Sequence, residues 1–162
     1  MRIFTLVLLL LIHQTSQGTT RIAVVDLKRI ATESKAGKSI EAQIEAINNE
    51  ARKELEAHEA RIKAMDTGGK TGEDVRKIEE LQIALYDMVR TRKYRITEAY
   101  RKAMSTLETK MKEVIKEICI KKGLKVVLNA EMVVLMFGVE DITEEVISRL
   151  NKVLPNLEVE KQ

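Results

Sequence analysis

The chain has no tryptophan, one cysteine, one proline and only seven glycines among its 162 residues. A single cysteine excludes a disulfide scaffold. So few glycines and prolines exclude an all-β sandwich, which needs turn residues between its many short strands. The aromatic residues are Phe4, Tyr86, Tyr94, Tyr100 and Phe137 and no others, and the composition leaves little material for an enzyme pocket. Only one apolar run approaches the length that spans a bilayer, so a polytopic membrane protein is excluded as well. What is abundant is charge, at 33% of residues, set among Ala, Leu, Glu, Lys and Arg. That composition belongs to long helices and coiled coils.

The first residues read as an address. Arg2 precedes a ten-residue apolar core from Ile3 to Ile12, and polar and small residues follow to Thr20. Ser16 and Gly18 stand where a signal peptidase takes small side chains, so residues 1–18 are expected to be a cleaved signal peptide. The mature chain would then work outside the cytoplasm, where ATP is scarce.

Beyond the leader, residues 21–25 form a short β-prone run closed by Asp26, a helix-capping residue. A break is expected at residues 34–37. Apolar positions then recur at Ile40, Ile44, Ile47, Ala51, Leu55, His58, Ile62 and Met65, one face of a helix. Gly68 and Gly69 are suited to end it with a left-handed cap, and Thr71-x-x-Asp74 has the form of a capping box for the next helix. That helix is predicted over about 72–122. Its stripe runs through Val75, Ile78, Leu81, Leu85 and Met88, resumes at Ile96, and continues through Tyr100, Ala103, Leu107, Met111, Val114 and Ile118. At 1.5 Å per residue it is about 75 Å long, against roughly 45 Å for the first arm. Such a pair must project from a body as an antiparallel coiled coil, with its tip at 66–72.

Gly123 ends the second helix. Residues 124–128 and 132–137 are β-branched and apolar, and with a turn at Asn129–Glu131 they are predicted to form a β-hairpin. Asp141-x-x-Glu144 is expected to cap a last helix over 142–153. The predicted fold is therefore α+β, mostly α. A β-rich body of residues 19–36 and 120–155 carries a helical hairpin of residues 37–119, and 156–162 form a C-terminal tail. The apolar runs Val126–Leu128 and Val133–Leu135 do not alternate with polar residues, so both faces want burial. Val126, Val127, Leu128, Val133, Val134 and Leu135 are accordingly the candidate oligomerisation residues, because one small subunit has little with which to cover them. The competing arrangement is a sheet covered by its own helices.

Residues 21–39 (RIAVVDLKRIATESKAGKS), the long charged hairpin, residues 122–136 (KGLKVVLNAEMVVLM) and residues 141–152 (DITEEVISRLNK) together resemble the Skp/OmpH family of periplasmic chaperones. Asn129 stands where that family usually has Asp, and Ile30 and Ala31 stand where it has an aromatic residue. The resemblance implies a homotrimer with a β body and three helical tentacles around a cavity. It also implies a holdase that keeps unfolded outer-membrane proteins from aggregating before membrane insertion, without nucleotide, cofactor or catalysis.

No catalytic constellation or metal site is expected from the residues themselves. Gly69-Lys70-Thr71 lacks the earlier glycine of a phosphate loop, Ala64 standing in its place, and a helix precedes it instead of a strand. His58 falls on the stripe and is expected between the helices. Cys119 is expected to be a free buried thiol. The most functional-looking feature is a basic run, Arg90, Arg92, Lys93 and Arg95, followed by Arg101 and Lys102. It lies in a segment, 76–122, of net charge +6, whereas residues 33–75 carry −3. Two readings stand side by side. The run either complements the acidic first arm, or forms an anion-attracting wall for clients or for anionic envelope lipid, as the resemblance allows. Nucleic acid is disfavoured by export and by the single aromatic, Tyr94, within the run. The alternative function is a coiled-coil spacer or envelope tether without a client.

Overall fold

The computed structural model describes residues 20–67 and 71–160. The expected signal peptide, and Gly68 and Gly69 at the tip, lie outside the described residues. The elements in chain order are β1 (Ile22–Val25), α1 (Leu27–Glu33), α2 (Lys35–Asp66), α3 (Gly72–Lys122), β2 (Val126–Asn129), a 3-10 turn (Ala130–Met132), β3 (Glu140–Asp141) and α4 (Thr143–Val153). The fold is α+β and mostly α, with α2 and α3 forming the long antiparallel hairpin.

The helix starts follow from capping chemistry. Asp26 Oδ1 accepts from the Arg29 amide at 2.8 Å, and Ser34 Oγ accepts from the Gly37 amide at 3.1 Å. Thr71 and Asp74 form the reciprocal capping box expected of them. Gly123, at φ +65°, closes α3 in the left-handed conformation that glycine adopts without steric cost. The break expected over residues 34–37 is narrower in the structure. Ser34 alone separates α1 from α2, and Gly37 lies inside the first turn of α2. A Cβ there would sit 1.7 Å from the Ala31 carbonyl oxygen, so glycine lets α1 fold back tightly on α2.

The predicted β-hairpin does not form. The sheet has three parallel strands in the order β2-β1-β3, with Val24 paired to Leu128 on one side and to Asp141 on the other. The turn after Asn129 is present, its side chain accepting from the Glu131 amide, but residues 132–137 leave it without reversing onto β2. The second edge of β1 is taken instead by Glu140 and Asp141. The backbone there is locked by the Ile142 amide donating to the Val24 carbonyl at 3.0 Å. Nor does Glu144 complete a capping box. Asp141 caps α4 from one residue further out, accepting from the Thr143 amide at 2.8 Å and from its hydroxyl at 2.5 Å. The Thr143 hydroxyl in turn accepts from the Asp26 amide at 2.9 Å, joining the starts of α1 and α4.

The core lies where β1, α1, the start of α2, the C-terminal half of α3 and α4 meet. It contains Ala23, Ile30, Ile40, Leu107, Met111, Ile118, Ile142 and Leu150, and continues up α3 through Ala103 to Ala99. Only one face of β2 is covered: Val127 packs on the core, while Val126 and Leu128 remain exposed. Above Ala99 the arms cover one another alone.

Candidate functional site

The basic run lies where the seam of the hairpin loosens. An α-helix turns about 100° per residue, so Leu85, Met88, Arg92 and Ile96 follow one another along the face of α3 turned to α2. Arg92 therefore occupies a seam position, where its guanidinium forms an ion pair with Glu54 of α2. A long polar side chain there keeps the arms from closing, and two grooves flank it. One, of about 530 Å³, is lined by Ile47, Glu50, Met88, Arg92, Arg95 and Glu160 among others. The second, of about 370 Å³ on the opposite flank, is lined by Ala51, Leu55, Val89, Arg92, Lys93 and Ile96 among others.

The six candidate cations thus do not share one face. Arg92 stands between the grooves, Arg95 opens on one and Lys93 on the other. Arg90 and Arg101 point away from α2 and pair within α3, with Asp87 at 3.3 Å and Glu98 at 2.7 Å. The Arg101 guanidinium, hydrogen-bonded to the Glu98 carboxylate, holds that carboxyl below its usual range and is itself raised. Lys102 lies 3.7 Å from Glu160.

Other stripe positions differ from the sequence reading. His58 is exposed instead of lying between the helices, and Tyr100 points outward while its neighbour Ala99 takes the seam. Val75 is exposed as well. The substitution of Ala99 for Tyr100 is a phase drift: the stripe advances by three residues after Ile96, where the sequence reading takes four. Cys119 is half-buried against the core. Of the arm methionines, Met111 is in the core and Met104 packs against it, whereas Met88 lines both grooves. Among the described residues no cluster of His, Cys, Asp or Glu is arranged to hold a metal ion. Nor is any helix there long and apolar enough to cross a membrane.

The candidate oligomerisation residues fall into two groups. Val127, turned to the core, and Val133 are half-buried, while Val126, Leu128, Val134 and Leu135 are exposed, Val134 completely. With Met132, Met136 and Phe137 also exposed, the run following β2 is a continuous apolar strip on the surface of one chain. Sequence reasoning missed the docking of residues 156–160 against the root of the hairpin. The signal was available in the alternation of Leu157 and Val159 with polar neighbours after Pro155.

The model of the family described as outer membrane protein (OmpH-like) matches residues 21–150. The chain belongs to this family. The OmpH-like fold is also that of a solved structure, a proposed OmpH-like outer membrane chaperone from Caulobacter crescentus. It is 19% identical, with a TM-score of 0.78, and the match covers 87% of this chain and 89% of that one. At that identity the likeness speaks for the fold alone. No curated protein matches this chain in sequence.

Proposed function

We propose that this OmpH-like protein is an ATP-independent periplasmic chaperone of the holdase type, which keeps unfolded outer-membrane proteins from aggregating before their insertion. The observation that carries this reading is the hairpin above Ala99. It projects from the body, is loosely closed, and opens a cation on each flank, Lys93 and Arg95, that makes no ion pair among the described residues. Membership of the OmpH-like family supports the reading, and the Caulobacter crescentus relative is itself proposed to be an outer membrane chaperone. Residues 1–18 would direct export and be removed.

In this reading three chains assemble through the free edge of β2 and the apolar strip 132–137, so that three hairpins enclose a space. Capture of a client rests on many weak contacts, both electrostatic and apolar, with Met88 adapting to varied surfaces. The cations would also suit an anionic envelope lipid.

The test is an aggregation assay on an unfolded outer-membrane β-barrel protein diluted from urea, without nucleotide. Suppression at a stoichiometric ratio of trimer to client is expected. Undiminished aggregation would leave the coiled-coil spacer as the better reading.

A further inference from the structure

The residues after Pro155 are held as a bound peptide is held. Leu157 and Val159 are buried, at 8% and 5% exposure, while Glu158 between them faces solvent. That alternation is the mark of an extended backbone with one face covered. The neighbouring strand is replaced by one side chain of α2. Gln43 donates through Nε2 to the Leu157 carbonyl at 2.8 Å and accepts through Oε1 from the Val159 amide at 3.0 Å. A carboxamide both donates and accepts, and here it satisfies the two main-chain groups flanking Glu158. One turn earlier on α2, the Ser39 hydroxyl hydrogen-bonds the Asn156 carboxamide oxygen and lies 3.3 Å from the Leu157 carbonyl oxygen.

The same segment reaches α3. Leu157 and Glu160 line a shallow cleft of about 470 Å³ together with Ala99, Ala103 and Thr106, and Glu160 approaches Lys102. Its other end is anchored in the body. The segment follows α4, whose Ile147 and Leu150 are in the core, and whose Asn151 accepts from the Lys35 amide at 2.7 Å. Residues 156–160 therefore run from the body across both helices of the hairpin at one level, Ser39–Gln43 on α2 and Ala99–Thr106 on α3. Directly above that level the seam loosens into the two grooves.

We propose that residues 156–160 are a brace: docked on Gln43, they lock the lowest tier of the hairpin to the body and place the pivot of the arms at the level of Ile47 and Ala99. Without the brace this tier is held by the seam alone, and the point of bending moves down toward Ile40 and Leu107. The inference is independent of the chaperone reading, since it concerns where the hairpin bends and not what it holds.

Hydrogen exchange followed by mass spectrometry tests it, in the full chain, in a chain truncated after Pro155 and in the full-length variants Gln43→Ala and L157S/V159S. Exchange over 39–47 and 99–107 should rise about tenfold in each variant, because local opening sets the rate there. Peptides covering 111–118 and 143–150 should keep their protection. A synthetic peptide of residues 154–160, added to the truncated chain, should restore the slow exchange. Unchanged exchange at 39–47 and 99–107 would overturn the proposal, as would an increase spread evenly over the chain. If the truncated chain does not fold, the two full-length variants decide by the same two results.

Discussion

Arg92 of α3 and Glu54 of α2 form an ion pair across the hairpin at a position where a coiled coil would place an apolar side chain. Both side chains are more than one-third exposed, at 36% and 41%, so the pair sits at the rim of the seam and not in a dry core. The first of the two readings of the basic run, complementarity with the acidic arm, thus applies to Arg92. It does not apply to Lys93 and Arg95, which face the grooves.

A pair this exposed contributes little stability. Its coupling in a double-mutant cycle of Arg92→Ala and Glu54→Ala should be about 1 kcal/mol or less, and smaller in high salt. Arg92→Leu should raise the melting temperature, because it continues the apolar seam from Met88 to Ile96. Thermal melts of the four variants read out both outcomes.

Capture should depend on the two groove cations. Reversing Lys93 and Arg95 to Glu, with Arg92 kept, should change stability by no more than about 0.5 kcal/mol, as is usual for surface positions. Stopped-flow capture of an unfolded outer-membrane protein should slow at low salt. The difference should shrink near 1 M salt, where screening shortens to about 3 Å. Equal rates at both salt concentrations would leave the run a structural feature.

Assembly and folding should separate along the strip. Val134→Glu places a charge on a side chain that one chain leaves fully exposed, so the monomer should keep its helix content while sedimentation shows loss of the trimer. Val127→Glu puts the charge against the core and should instead cost several kcal/mol as an unpaired buried ion. Circular dichroism beside ultracentrifugation distinguishes the two. A wild type that sediments as a monomer at micromolar concentration would contradict the trimer.

Gly37→Ala should destabilise the elbow between α1 and α2. Its Cβ would meet main-chain atoms of Ala31, which have no rotamer by which to move aside. Overpacking of this kind costs about 1–3 kcal/mol, and a denaturant titration measures it.

Acid should weaken the body. Glu145 is held below its ordinary value of 4.5 by hydrogen bonds from Lys122 and then Arg149, and Glu33 is held below 4.5 by Arg29. A carboxylate with a lowered native pKa contributes its full stability above the unfolded value and loses it as pH falls through the native one. Stability should therefore be level from neutral pH down to about 4.5 and fall below it. Glu145→Gln should reduce that fall, in melts recorded from pH 7 to pH 3.

The long helices, their stripe and their caps were readable in the chain because all three are local. Periodicity places Leu107, Met111 and Ile118 on one face, and Thr71 finds Asp74 three residues away. The resemblance to the family was readable from short runs of the same kind. Strand pairing was not readable, because it depends on which segments the tertiary structure brings beside β1. An apolar run such as Val133–Leu135 states that it needs covering and not by what. The charged pair Glu140–Asp141 won the edge of β1 because the Ile142 amide and the Asp141 cap of α4 hold it there, leaving residues 132–137 on the surface. The seat of Leu157 and Val159 was likewise decided by tertiary structure. Gln43 gives no sign of its partner until α4 brings the following residues past it, more than one hundred positions along the chain.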